Sequence, residues 1–343
     1  MAQTRTQART VGELGEFALI DRIVRLLPKP GAEVVIGIGD DCAAIRPTPG
    51  ALTLVTCDVQ IEGRHFLRDR ITAYQLGRRS AAINLSDIAA MGGRPCHATI
   101  SLGLPPDTEL TWVDNLYRGL AEEFTRYETS VIGGNISGSR DLLIDITLLG
   151  EVAEGRAVTR CGAHRGDAVL VTGTLGDSAL GRAVLLSKAK DLSAPLLARH
   201  LTPTPRVREG LAIGATGHAS AMIDISDGLA GDLGHICEMS HVGMRLFADR
   251  IPLSQDARTV ASRLRVDALQ AALHGGEDYE LAFTCAPQHV DAITQAVRSA
   301  TGTPVTRIGE VVSGHGFRLV LPDGSERDEP ARGWDHYKAG DRE

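Results

Sequence analysis

The chain is poor in aromatic residues: Phe, Trp and Tyr make up 4% of 343 positions. Its core therefore has to be assembled from Ala, Val, Leu and Ile. The six cysteines, at 42, 57, 96, 161, 237 and 285, contain no C-x-x-C pair. That argues against a zinc site or a disulfide frame and for reduced intracellular thiols. No apolar run approaches the roughly 18 residues that span a bilayer. The opening Met1-Ala2-Gln3-Thr4-Arg5-Thr6 lacks the apolar stretch of a secretory signal. The expected compartment is the cytoplasm, with no membrane partner. Positive charge is also short. The net charge of −7 disfavours a nucleic-acid binder, which would carry a basic stripe. There is no G-x-x-x-x-G-K-[ST] loop, and no G-x-G-x-x-G follows the first strand. A nucleotide, if bound, has to be held through metals and glycine turns.

Glycine and acids are what the chain has in quantity. There are 38 glycines, with 43% apolar and 23% charged residues, an ordinary balance for a soluble globular protein. A chain of this length is long for one core and divides more naturally into two domains. Residues 1–14 are set apart as a disordered N-terminal segment. Residues 15–153 and 154–343 are the two expected domains, with a junction at Gly155 to Gly166. Helical periodicity covers Gly15 to Val24, Thr72 to Met91, Thr111 to Tyr127, Val207 to Thr216 and His289 to Ala300. Strands are expected at 33–38, 52–56 with Asp58 just past its end, 98–104, 130–132, 142–152, 167–172, 221–223, 280–284, 308–312 and 317–321. Residues 188–208, with Pro195, Pro203 and Pro205, read as an irregular connection. Alternating strands and helices in both halves make the fold class α/β or α+β.

One construction recurs: a strand or turn, small residues, then an acid or amide. It occurs at Gly39-Asp40-Asp41, Thr56-Cys57-Asp58, Gly133-Gly134-Asn135, Asp224-Ile225-Ser226-Asp227-Gly228 and Gly275-Gly276-Glu277-Asp278. Asp87, on the apolar face of the helix that carries Leu76, Ile83 and Met91, makes a sixth. Many acids with few His or Cys neighbours suit Mg²⁺, which takes oxygen ligands and bridges carboxylates to phosphates. Each place alone has an ordinary reading. Asp40-Asp41 and Gly133-Gly134-Asn135 also fit plain turns. Asp227 fits a helix N-cap. His65, Arg160 and Trp334 taken singly fit solvated or packing roles. The recurrence is what favours a metal and phosphate site.

Together these stretches resemble the thiamine-monophosphate kinase family, of the superfamily that includes aminoimidazole ribonucleotide synthetase. The resemblance runs from about Gly15 to Tyr337. It rests on Gly15-Glu16-Phe17, Gly37 to Ala43, Glu62-Gly63-Arg64-His65-Phe66, Asn84 to Gly92, Arg160 to Asp167, Asp224 to Leu229, Asp232-Leu233-Gly234-His235-Ile236 and Gly275 to Leu281. It implies the two-domain aminoimidazole ribonucleotide synthetase-like fold, with the N-terminal domain pairing with its copy in a homodimer. It implies ATP-dependent phosphorylation of thiamine monophosphate to thiamine diphosphate with several Mg²⁺ ions, in the cleft between the domains. Carried over by motif, Asp41, Thr56, Asp58, Asp87, Asn135, Asp224 and Asp227 correspond to metal ligands. Gly134, Asn135, Arg160 and Ser226 correspond to ATP contacts. His65, Glu277 and Trp334 correspond to substrate contacts. Two departures stand out: Asn135 where many members have Asp, and Cys57 where many have Thr or Ser. The rivals are another ATP-dependent member of the superfamily, a synthetase or maturation factor, and a non-catalytic protein that binds ATP or cations.

Overall fold

Residues 10–187 and 193–330 are described by the computed structural model. Their contacts form two units, Met1–Asn84 with Pro95–Glu151, and Leu85–Arg94 with Val152–Glu343.

The first unit contains α1 (Val11–Leu14), α2 (Glu16–Val24), β1 (Val34–Ile36), β2 (Ala44–Ile45), β3 (Ala51–Ile61), the start of α3 (Ala73–Ala90), whose residues 85–90 belong to the second unit, and nearly all of β4 (Arg94–Leu104), α4 (Leu110–Arg126), β5 (Ser130–Gly138) and β6 (Leu143–Ala153). Part of the segment expected to be disordered is therefore helical. Val11 and Gly12 donate N–H bonds to Thr108 and Pro106 carbonyls, 2.8 Å each. The four-stranded sheet has the order β3-β6-β4-β5, and β4 and β5 are parallel. On α4 the buried residues Leu110, Val113, Leu116, Tyr117, Leu120 and Phe124 form one stripe, the mark of a helix laid on a core. By contrast α3 is buried almost all round, with residues 79–86 covered without interruption. The single apolar face expected for it does not exist. Its closeness to α4 requires glycine: a Cβ on Gly77 would lie 2.1 Å from the Leu116 carbonyl oxygen, and one on Gly119 2.0 Å from that of Tyr74.

The second unit runs β7 (Ala168–Thr172), α5 (Asp177–Leu186), α6 (Ala194–Leu201), α7 (Val207–Thr216), β8 (Ala219–Asp224), α8 (Leu229–Ser240), β9 (Gly243–Phe247), α9 (Gln255–Leu264), α10 (Ala268–His274), β10 (Leu281–Cys285), α11 (Val290–Thr301), β11 (Val305–Val312), β12 (Gly316–Val320) and β13 (Glu326–Glu329). The seven strands lie in the order β13-β12-β9-β11-β7-β10-β8. Every neighbouring pair is antiparallel except β12 with β9. The fold class is thus the α+β member of the expected pair. Strands β7 and β10 are buried at every residue, as central strands covered on both faces must be. One core joins Val169, Val171, Ile223, Leu233, Ile236, Met244 and Leu246 beneath α8 and α10. Helix α6 falls in the stretch read as irregular. Ser193 caps it, accepting from the Leu196 N–H, and Pro195 sits in its first turn, where a missing N–H costs nothing. No helix among the described residues is long and apolar enough to cross a membrane.

Candidate active site

In the first unit Asp40 and Asp41 follow β1 on an exposed turn, where the Asp41 N–H donates to Asp40 Oδ1 at 3.1 Å. Thr56 and Asp58 lie inside β3. The strand is longer than expected, so Asp58 is not past its end. Positions two apart share a strand face, and Thr56, Asp58 and buried Gln60 share the more covered one. The Asp58 N–H donates to Asn84 Oδ1, 3.2 Å away. Cys57 points to the other face. Its thiol donates to Asp145 Oδ1 at 3.1 Å, and that bond, with burial adding to it, raises its pKa.

Gly133-Gly134-Asn135 is not a turn. Strand β5 runs through it, with Gly134 opposite Ile100 and Asn135 opposite Ser101 of β4. A Cβ at Gly134 would lie 2.1 Å from the Ile100 carbonyl oxygen, so only glycine fits. Asn135 is exposed. His65 closes the turn after β3: its Nδ1 accepts the Ile61 N–H at 3.1 Å. A neutral ring then carries its proton on Nε2.

The second unit gathers its acids more tightly. Asp224 ends β8 and is 3% exposed. The Ser86 hydroxyl donates to Asp224 Oδ2 at 2.8 Å, which ties half-buried Asp87, the next residue, to the same locality. The turn after Asp224 bends back into α8 through Gly228, at φ 103°. Buried Asp232, in the first turn of α8, accepts the N–H groups of Ser226 and Asp227 on one oxygen, at 3.0 and 3.1 Å. Burial, and then the negative charges of Asp224 and Asp227, push the Asp232 pKa well above the usual carboxylate range. Like charges crowded in this way favour a bound cation.

The loop before β10 clamps the same turn. Glu277 N–H donates to the Ser226 carbonyl at 2.7 Å and Tyr279 N–H to that of Ile225 at 2.8 Å. A Cβ on Gly276 would lie 2.6 Å from the Ser226 carbonyl oxygen. Glu277 and Tyr279 hold positive φ values of 61° and 52°. Side chains rarely adopt that conformation, and it persists only where surrounding contacts over-determine it. Glu277 Oε2 lies 3.4 Å from Nδ1 of buried His200, which is 3.2 Å from the Ser178 hydroxyl. The next residue, Asp278, is buried and accepts the N–H groups of Gly176 and Ser178 at 2.7 and 3.0 Å, which caps α5. Burial raises its pKa to about 7. Behind it Glu280, fully buried, meets Arg206 at 2.5 and 2.6 Å, Arg199 at 2.9 Å and the Thr172 hydroxyl at 2.7 Å. Burial acts to raise the Glu280 pKa, but the two guanidiniums outweigh it and hold it below its ordinary value.

The structure thus brings Asp224, Ser226, Asp227 and Glu277 onto two interlocked turns. Arg160 is exposed on the connection before β7. Trp334 lies outside the described residues. Sequence reading gave no role to Asp232, His200, Ser86 or Glu280. Asp232 carried a signal: an acid in the first turn of the helix that follows Asp227-Gly228. The others are distant in sequence from what they touch. Carboxylate and hydroxyl oxygens dominate the donor set, which fits a hard cation such as Mg²⁺. Among the described residues no group of three or more His, Cys, Asp or Glu side chains is gathered closely enough to hold a metal ion by itself. Water and phosphate oxygens are the natural remaining ligands.

Residues 39–152 match the family of AIR synthase related proteins, N-terminal domain, and residues 164–322 the corresponding C-terminal domain. A thiamine-monophosphate kinase from Aquifex aeolicus (strain VF5) is 38% identical over 328 residues, 95% of this chain and 99% of that one. The solved structure of AaThiL complexed with AMPPCP and TMP superposes with a TM-score of 0.75 at 35% identity, covering 97% of this chain and 100% of that one. The hydrogenase maturation protein HypE in complex with ATP also superposes with a TM-score of 0.75, over 93% and 97% of the chains. At 17% identity it shares the fold alone.

Proposed function

The chain belongs to the thiamine-monophosphate kinase family, and on that premise we propose that it uses ATP to phosphorylate thiamine monophosphate to thiamine diphosphate. The observation that carries this reading is 38% identity to such a kinase along nearly the whole of both chains.

The acceptor is a phosphate oxygen, already anionic, so no strong general base is needed. That oxygen attacks the γ-phosphorus in line. The new O–P bond forms as the bond to the β,γ-bridging oxygen breaks, and ADP leaves. Catalysis of such a transfer is mainly positioning and charge neutralisation. Arg160 supplies a planar fork of donors for phosphate oxygens. Gly134, Asn135 and the Ser226 hydroxyl also contact ATP. On the substrate side, Glu277 accepts from the aminopyrimidine, Trp334 stacks on a ring, and His65 contributes a further contact. The clamped backbone at Ser226 and Glu277 supports their roles, because it brings an ATP residue and a substrate residue within one hydrogen bond of each other. Asp41, Thr56, Asp58 and Asn135 in the first unit, and Asp87, Asp224 and Asp227 in the second, are the residues that would hold Mg²⁺. When bound, several Mg²⁺ ions neutralise phosphate charge as it redistributes in the transition state.

The working form is a homodimer through the N-terminal domain. An exposed apolar surface supports this: Val55 and Val59 on one face of β3, Val35 and Ile36 on β1, and Phe17 at 81% exposure. Six free cysteines, three of them exposed, suit the reducing cytoplasm.

One assay tests the function. Purified protein is given ATP and thiamine monophosphate as sole acceptor, with and without Mg²⁺. Thiamine diphosphate appearing only with Mg²⁺ is the expected result. ATP turnover that requires a different acceptor would point to another member of the superfamily. ATP binding without turnover would point to a sensor.

A further inference from the structure

The connection from 155 to 166 carries Arg160 but has no helix or strand of its own. Its conformation must come from individual hydrogen bonds. At its upstream side the Thr159 carbonyl accepts the Met222 N–H at 3.0 Å. At its downstream side His164 N–H donates to Asp167 Oδ2 at 3.0 Å. Between these anchors one side chain does most of the holding. The hydroxyl of Ser240, the last residue of α8, donates to the Arg160 carbonyl at 3.0 Å. The same oxygen accepts the N–H groups of Gly162 and Ala163, both at 3.1 Å. The loop is pressed close here: a Cβ at Gly162, which has φ 135°, would lie 2.3 Å from the Ser220 carbonyl oxygen.

We propose that Ser240 is a positioning residue for Arg160, fixing the 160–163 backbone so that the exposed guanidinium is held toward the ATP phosphates. The inference rests on the ATP reading of Arg160. A long side chain on an irregular loop is aimed only as well as its Cα is fixed, and an unfixed loop must be ordered on binding at an entropic cost. A hydroxyl that both donates and accepts can close this loop with one atom, and alanine can do neither. The anchors at Thr159 and Asp167 do not involve Ser240, and neither does the bond that the Thr159 hydroxyl donates to the Cys161 carbonyl at 2.7 Å, so loss of Ser240 loosens the middle of the loop without releasing the ends.

The test is a double-mutant cycle of S240A and R160A, with S240T as the conservative variant. Readouts are KM for each substrate, the dissociation constant of a non-hydrolysable ATP analogue with Mg²⁺, and amide hydrogen exchange at residues 160–163. S240A is expected to raise KM for ATP and the analogue constant about 10-fold. KM for thiamine monophosphate should stay within about twofold. Exchange should quicken at 160–163 while α8 stays protected, which also shows that the variant is folded. S240T should restore most of the affinity. In the R160A background S240A should add nothing further, since both act through one group. Full additivity of the two substitutions overturns the proposal, as does an S240A variant with wild-type ATP affinity beside a weakened R160A. An R160A variant that binds ATP normally overturns the reading of Arg160, and the Ser240 proposal with it.

Discussion

The two units differ in how they expose the oxygen-bearing side chains of the candidate site and its surroundings. In the first, Asp41 stands on an exposed turn, Asn135 is exposed on β5, and Asp58 sits half-buried on a strand whose alternate residues are open. In the second, Asp224, Asp232 and Asp278 are all under 7% exposed, and each is held by the hydrogen bonds described above. A buried carboxylate held in this way is already oriented, so little is lost in ordering it when a cation or phosphate arrives. Solvated carboxylates are free to move and must be ordered at that moment. The apolar surfaces differ in the same direction. The second unit closes its sheet beneath α8 and α10, whereas the first leaves Val55, Val59 and Phe17 open to water, the surface proposed above for pairing.

The largest effect that would sharpen this contrast is expected at Asp224. Asp224→Ala should lower kcat/KM by roughly 1000-fold or more while circular dichroism stays native, and Asp87→Ala should do the same. Near-normal turnover in either variant would remove its metal role. Asp41→Ala should lose less, about 10- to 100-fold, because a solvated ligand is more readily replaced by water. An equal loss would break the link between burial and contribution.

Glu280→Gln tests the scaffold behind the site. It leaves the part-buried Arg206 guanidinium, which keeps Glu209 at 3.4 Å, facing a neutral amide, and removing one partner of a buried pair costs about 3–5 kcal/mol. Denaturant unfolding should show that loss. A change below about 1 kcal/mol would mean that the network contributes nothing net. On the first unit, Val55→Asp combined with Val59→Asp should convert the proposed dimer to a monomer by light scattering. A dimer that survives both charges pairs through another surface.

The last prediction is a pH dependence. Burial raises the Asp278 pKa to about 7 in the fold, against about 3.9 in an unfolded chain. Between those values the folded state binds more protons than the unfolded one. The stabilisation from this group is therefore fully present below about pH 4 and is lost as pH rises through about 7. Asp278→Asn removes the titration but keeps an acceptor for one of the two α5 N–H groups. The melting temperature of the wild type relative to this variant should fall between pH 5 and pH 8. A flat difference would show that Asp278 does not titrate there.

Much of the architecture was legible from local patterns. Helix α4 shows its buried stripe in sequence, α7 begins and ends where periodicity places it, and Pro105-Pro106 ends β4. The failures have specific causes. Gly133-Gly134-Asn135 reads as a turn because glycine pairs usually are turns. Here the glycine serves a backbone contact with Ile100 that is visible only once β4 lies beside β5. Helix α6 hides behind Pro195, which is harmless in a first turn. The even burial of α3 cannot be read from spacing alone, because neighbours on every side decide it.

For the site, the residue types and their order along the chain pointed to oxygen-ligand chemistry on phosphates and singled out Asp224, Asp227 and Glu277, which the structure brings onto neighbouring turns. That follows because the composition of a motif carries its donor chemistry. The Asp40-Asp41 turn stayed as exposed as its composition indicates. Only the tertiary structure showed that Ser86 holds Asp224, that Asp232 holds Ser226 and Asp227, and that Ser240 holds the loop of Arg160. Those partners lie 138, 6 or 5, and 77 to 80 positions away. Hydrogen bonds at about 3 Å depend on where the backbone is carried by packing, and local sequence does not encode that distance.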